Sequence, residues 1–341
     1  MRPRSLFRVI VAVTVAWLAG CSSSPPRPAD ASASPERSAG AVIGRSDRLL
    51  IYRPGRDDTL RSIAQQFLGD EERDWVISDF NRLSGALTDQ PLVVPLKPIN
   101  PIGVQDDRYQ TVPILCYHRF GGASGKMSVS PANFAAQLDW LARNDYRVIR
   151  LSQLLGFLQG REALPKRSVV ITMDDGYESV HRYALPQLRK HGFPATLFVY
   201  SDFIGAGDGL NWSQLTELKA SGLVDIQAHS KTHRNLIERL PGETDEQYRQ
   251  SIDIEARAPR ELLERRLSSP VRQYAYPFGD ANEAVLDALM RQQYQLAVTV
   301  TPGGNAFFAM PLMLRRTMIF GDMDMEAFKA KLQISRGGVA P

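Results

Sequence analysis

Two short stretches of this sequence concentrate residue types that do chemistry. Ser168 to Tyr177 reads S-V-V-I-T-M-D-D-G-Y. Its apolar run Val169-Val170-Ile171 predicts a fully buried strand. The strand stops in two adjacent carboxylates, Asp174 and Asp175, followed by Gly176. Like charges held side by side and partly out of water are costly, and a cation beside them removes that cost. In α/β folds ligands bind beyond the carboxyl ends of parallel strands, which is where this pair falls. The alternative is a solvated Asp-Asp-Gly turn. The second stretch, Val224 to Ser230, reads V-D-I-Q-A-H-S and runs on to His233. Two of the chain's five histidines, His229 and His233, stand four apart here, a spacing that shares one helical face or one edge of a turn. Two imidazoles and a carboxylate leave an open position on zinc, the ligand set of a catalytic site. A pair of surface histidines is the plainer alternative.

Such residues need a scaffold that brings strand ends together. From Val112 onward, strand patterns alternate with helical ones. The strand candidates are Val112–His118, Tyr146–Leu151, Ser168–Asp174, Ala195–Tyr200, Val224–Ala228, Arg272–Tyr276, Leu296–Val300 and Leu314–Ile319. Helices fit Pro131–Arg143, Leu151–Leu158, Ser179–His191, Ser213–Ser221, Asp245–Arg266, Glu283–Gln293 and Met325–Leu332. Successive β-α units with apolar strands predict an α/β fold whose parallel sheet is closed or nearly closed into a barrel. Upstream, residues 48–98 predict a separate β-α-α-β unit. Leu60, Ile63, Ala64 and Phe67 have helical spacing, with Asp58 or Thr59 as the cap.

The start of the chain, M-R-P-R-S-L-F-R, is basic, and Val9 to Leu18 is an apolar run too short to span a bilayer comfortably. It ends in Leu18-Ala19-Gly20-Cys21, so residues 1–20 read as a signal peptide. Residues 21–47, rich in Ser, Pro and Ala as far as Gly44, read as a flexible tether. Residues 99–110 read as a linker and 111–341 as the large domain. With 341 residues, 43% of them hydrophobic, one large and one small domain fit the length. A net charge of +4, with charges interspersed, shows no basic run that suggests a nucleic-acid partner, and none is expected.

The motifs resemble those of the NodB-type polysaccharide deacetylases, carbohydrate esterase family 4. Thr172-Met173-Asp174-Asp175-Gly176 is similar to the family's T-F-D-D-G, His229 to His233 to its H-[ST]-x-x-H, and Tyr276-Pro277-Phe278-Gly279 to its third motif. The resemblance covers about Thr111 to Ile334. It implies a distorted (β/α)7 barrel and hydrolysis of N-acetyl groups on N-acetylglucosamine-containing polysaccharide, either peptidoglycan or poly-N-acetylglucosamine. It also implies a divalent metal, zinc with cobalt or nickel as alternatives, held by Asp175, His229 and His233. Asp174 would be the base, and Phe278 would supply a backbone N–H to the oxyanion. Two family features are missing. Ala275 stands where an arginine usually orients the base, with Arg272, Arg315 and Arg316 as possible substitutes by position. No histidine follows His233 to act as the late-strand acid. His118, ending the first strand in P-I-L-C-Y-H, is the candidate replacement, as in family members acting on poly-N-acetylglucosamine; a structural histidine at the barrel rim is the alternative. His181 and His191 read as surface or packing residues, and Cys116 as a small buried apolar one.

The small unit resembles a LysM domain through Tyr52, Pro54-Gly55, Asp58-Thr59-Leu60, Ile63-Ala64, Asn81 and Val94-Pro95, which implies binding of N-acetylglucosamine-containing glycan. Leu18 to Cys21 resembles a bacterial lipoprotein box. That implies a lipid on Cys21 and, with Ser22 next, anchoring at the outer membrane facing the periplasm; Cys116 is then left without a disulfide partner, and a monomer is expected. An ester deacetylase would use the same residues. A reading of a different class is an envelope glycan binder whose barrel is weakly active or inactive.

Overall fold

The computed structural model describes residues 40–83, 87, 90–121 and 125–337. The signal peptide expected over 1–20, Cys21 and most of the expected tether lie outside them. The small unit comprises strands β1 (Ala41–Arg45) and β2 (Leu49–Arg53), helices α1 (Leu60–Leu68) and α2 (Asp74–Asn81), and strand β3 (Leu92–Pro95). The sheet order is β1-β2-β3, antiparallel throughout. Strand β1 corrects the expected tether, which ran to residue 47. It is an edge strand with four of its five side chains exposed, so it carries no apolar alternation to betray it. Thr59 caps α1, its hydroxyl accepting from the Ser62 N–H at 3.0 Å. Leu50, Tyr52, Ile63, Ala64, Ile77, Leu92 and Val94 form the core. The Asn81 side chain ties α2 to β3 by donating to the Val93 carbonyl and accepting from its N–H, at 2.7 and 2.9 Å.

The large unit is a curled parallel sheet wrapped by helices. Its strands are β4 (Val112–Tyr117), β5 (Ser168–Met173), β6 (Ala195–Val199), β7 (Val224–Ala228), β8 (Gln273–Ala275) and β9 (Leu296–Val298), each parallel to the next. The segment 314–319 closes the curl. The Leu314 N–H donates to the Ala297 carbonyl at one edge, and the Ile319 N–H to the Cys116 carbonyl at the other. Within this segment Thr317–Met318, β10, pairs parallel with β4. Every residue of β4, β5 and β6 is buried. This is why these strands read as continuous apolar runs; each fully buried Val, Leu or Ile contributes about 1.5–3 kcal/mol. The longest helix, α3 (Asp245–Leu267), begins at a Thr244–Gln247 capping box. The strand expected over Tyr146–Leu151 shortens to Arg147–Val148, and the helix expected over Ser179–His191 opens as a π turn at Val180–Ala184 before continuing to His191.

The expected linker over 99–110 ends in structure, because Arg108–Gln110 pairs antiparallel with Ser335–Gly337. The small unit touches the large one through Arg147, whose Nη2 donates to Asp74 Oδ2 at 2.9 Å, and through Lys166, whose N–H donates to Asp79 Oδ2 at 3.3 Å. Lys166 precedes β5 and Asp174 follows it, so the small unit sits at the end of the sheet opposite the Asp-Asp pair. Among the described residues, no helix is long and apolar enough to cross a membrane.

Candidate active site

Parallel strands of matched register deliver their last residues to one rim. Just past the strand ends, the Asp174 N–H still bonds the Tyr117 carbonyl, and the His229 N–H bonds the Val199 carbonyl, both at 2.9 Å. The side chains of His118, Asp174, Asp175 and His229 therefore emerge together. Four residues around the rim take the left-handed region: Asp175 (φ 73°), Ser230 (φ 80°), His233 (φ 62°) and Phe278 (φ 61°). Such conformations cost on the order of 1 kcal/mol or more each and persist only where the surroundings fix them. Gly176 follows at φ 87°, where an added Cβ would lie 2.9 Å from Val199 Cγ1, so the turn after the carboxylates requires glycine.

The ligand atoms of Asp175, His229 and His233 lie within 4.8 Å of one another. Both imidazole Nε2 atoms approach Asp175 Oδ1, at 3.3 Å from His229 and 3.2 Å from His233. Yet that buried oxygen has no hydrogen-bond partner of acceptable geometry. Three ligand atoms gathered this closely, with the carboxylate oxygen left without a hydrogen bond, fit a cation. The His229 tautomer fits as well. Its Nδ1 lies 2.8 Å from the Ala275 carbonyl, which can only accept, so Nε2 keeps its lone pair for the centre. Burial pushes the Asp175 carboxyl up, but the two imidazoles, in their charged form, outweigh it and hold it well below the usual carboxylate range.

Asp174 points to a different partner. Arg316, fully buried, donates Nη1 to Oδ1 and Nη2 to Oδ2 of Asp174, both at 2.7 Å. Its Nε bonds the Thr299 carbonyl at 2.8 Å, and Nη1 also reaches the Thr172 hydroxyl at 3.2 Å. Burial raises the Asp174 carboxyl and the guanidinium lowers it; the net direction is downward. Of the three arginines expected as substitutes, Arg316 alone reaches the carboxylate. Arg272 pairs with Glu264 at 2.6 Å, and Arg315 bonds the Pro302 carbonyl at 3.3 Å. Ala275, at the usual arginine position, serves instead through its carbonyl on His229.

His118 is half-buried, and its Nδ1 finds no hydrogen-bond partner among the described residues. Its nitrogen shares a cluster, all ligand atoms within 4.8 Å, with Asp174 and Cys116. Burial lowers its pKa more than the two aspartates raise it. Cys116 is buried as expected, but its thiol also donates to Asp174 Oδ2 at 3.6 Å. Phe278 sits in the turn Pro277–Gly279, its exposed ring 5.1 Å from that of His233. Rings continue on the other side: Tyr200 lies 5.1 Å from His233, Phe203 stacks on Tyr200 at 4.9 Å, and Tyr177 meets Phe203 edge-on. His181 and His191 lie away from this rim, in contact with Glu217 and Asp139 at 2.8 and 2.9 Å.

Residues 161–297 match the polysaccharide deacetylase family. The poly-beta-1,6-N-acetyl-D-glucosamine N-deacetylase of Escherichia coli (strain K12) is 25% identical over 211 residues, covering 52% of this chain and 31% of that enzyme. The chain thus spans about a third of that relative's length. Among solved structures, the Streptococcus pyogenes deacetylase PplD in complex with acetate superimposes with a TM-score of 0.60 at 25% identity, covering 65% of this chain and 98% of that one. IcaB from Ammonifex degensii gives 0.59 at 27% identity, covering 66% and 97%. The large unit thus shares its fold and the match over residues 161–297 with polysaccharide deacetylases, and its enzyme class is that of a polysaccharide N-deacetylase.

Proposed function

We propose that this chain is a metal-dependent N-deacetylase of poly-β-1,6-N-acetylglucosamine or a closely related N-acetylglucosamine polymer, tethered at the cell envelope. The observation that carries the reading is the convergence of two imidazole nitrogens on an orphaned carboxylate oxygen, 3.2 and 3.3 Å away, beside a second carboxylate clamped by a buried arginine. A divalent ion held by Asp175, His229 and His233 would supply Lewis acidity to the acetyl carbonyl and acidify the attacking water. Asp174, kept ionised and fixed by Arg316, takes the proton from that water. The Phe278 N–H would donate to the developing oxyanion, by the role the resemblance gives it. His118, with a ring nitrogen still unpartnered at the same rim, protonates the departing amine as the C–N bond breaks. The rings of Phe278, Tyr200, Phe203 and Tyr177 offer flat apolar faces to pyranose units either side of the scissile acetamide.

Arg316 weighs against the alternative of an inactive glycan binder, since it fills the function of the arginine absent at position 275. The small unit, read as LysM-like, would hold glycan from the far end of the sheet. It would act as a tether rather than as an extension of the catalytic groove. A lipid on Cys21 would place the enzyme at the outer membrane.

Acetate release from poly-β-1,6-N-acetylglucosamine and from peptidoglycan, measured side by side, tests this reading. The first polymer is expected to be deacetylated, activity to vanish on chelation, and zinc to restore it. Release from neither polymer, or release indifferent to the chelator, would overturn it. His118→Ala is expected to slow hydrolysis by about 10²-fold, the lower end for loss of a general acid. An unchanged rate on the same polymer removes His118 from the mechanism.

A further inference from the structure

The two histidines sit in a segment that does not hold its own shape. Ser230 and His233 both have positive φ, and the one bond within the loop that ties them runs from the His233 N–H to the Ser230 hydroxyl at 2.8 Å. Outside support comes from Ser201 and Asp202, whose N–H groups donate to the Ser230 and Lys231 carbonyls at 3.2 and 3.0 Å, and from α3. Tyr248, Ser251 and Glu255 stand three and four apart along it and so share one face. The Tyr248 hydroxyl donates to the Leu236 carbonyl at 2.7 Å, and Ser251 accepts from Arg234 at 2.9 Å. Glu255, only 5% exposed, accepts three bonds. Its Oε2 takes the N–H groups of Lys231 and Thr232 at 2.8 and 3.0 Å, and its Oε1 takes the Thr232 hydroxyl at 2.8 Å. All three donors lie between His229 and His233.

A buried carboxylate is tolerated only when hydrogen-bonded, and here all three of those bonds come from the loop. We infer that Glu255 is a positioning residue for the metal centre. It fixes the strained turn between the two imidazoles, so that His233 reaches the point His229 and Asp175 already face. This inference rests on reading those three residues as the metal site. Glu255 touches neither the ion position nor substrate; it acts through the loop. Groups that orient ligands in this way typically change metal affinity by 10–100-fold when removed.

Zinc affinity of the full chain, measured by competition with a chromophoric chelator, tests the assignment, with thermal unfolding of the metal-free protein recorded alongside. Glu255→Ala is expected to weaken zinc binding by about 10- to 100-fold. Glu255→Gln should stay within about threefold of wild type, because its amide oxygen can accept both N–H groups and its amide N–H can face the Thr232 oxygen. Thr232→Val, which removes only the hydroxyl bond, should cost about 3- to 10-fold, the scale of one hydrogen bond. A residue that merely stabilised the fold would lower the unfolding temperature of the metal-free protein and leave zinc affinity alone. If wild type binds no zinc, the metal reading itself fails. If wild type binds zinc and Glu255→Ala and Thr232→Val match it, the positioning role is overturned. Should Glu255→Ala not fold, Thr232→Val decides: weakened binding supports the role, and unchanged binding overturns it.

Discussion

Asp174→Asn is expected to lower kcat/KM by about 10³- to 10⁴-fold, the upper range for removing a general base, while zinc content stays at the wild-type level. The argument is geometric. Asp174 and Asp175 are neighbours in sequence but face different partners. Asp175 offers an orphaned oxygen to two imidazoles. Both oxygens of Asp174 are engaged by Arg316, and the nearest imidazole nitrogen stands 4.0 Å off. An amide at position 174 removes the proposed proton acceptor and leaves Asp175, His229 and His233 untouched. Turnover of poly-β-1,6-N-acetylglucosamine and metal analysis on the same preparation check both halves. Wild-type turnover would end the base assignment, and a loss of zinc equal to that of a ligand substitution would make Asp174 part of the metal set.

The strand, the Asp-Asp-Gly stop and the histidine pair were legible in the sequence because all are local patterns; the separate roles of the two aspartates came only from the resemblance. The strands of the sheet were legible for the same reason: burial on both faces leaves unbroken apolar runs such as Val169 to Ile171. What the sequence left open depends on contacts distant in the chain. Arg316 meets Asp174 across 142 positions, and three arginines were equally placed on sequence position alone. A signal did exist. In an extended segment alternate residues share a face. Arg316 shares that of buried Leu314, whereas Arg315 faces outward. Glu255 was missed although it lies on the buried stripe of α3 with Ile252, Ala256, Pro259 and Leu263. A carboxylate on an apolar stripe marks a buried partner without saying which. Strand β1 was missed because, at a sheet edge, pairing leaves no trace in hydrophobicity.

Arg316→Leu tests the other half of the same pair, and its signature is a pH dependence. Removing one partner of a buried ion pair typically costs about 3–5 kcal/mol, because the survivor is left charged and desolvated. In wild type the Asp174 carboxyl is held below its ordinary value, with burial opposing and Arg316 prevailing. A depressed pKa contributes stability that is present above the unfolded value, about 3.9 for aspartate, and is lost as pH falls through the folded one. Without the guanidinium, burial is unopposed by its strongest partner and the carboxyl pKa rises. Folding then favours the protonated acid, and the variant loses stability as pH rises. The stability gap between wild type and Arg316→Leu should therefore be widest near pH 7 and narrow toward pH 3–4, in denaturant unfolding run at both. The acid limb of kcat/KM should move to higher pH, since the base now requires a higher pH to ionise. The double variant Asp174→Asn/Arg316→Leu should recover part of the lost stability while remaining inactive, because no buried charge is then left unpaired. A gap that is the same at both pH values, or a double variant less stable than either single one, would show that the pair is not what holds the base in its ionised form.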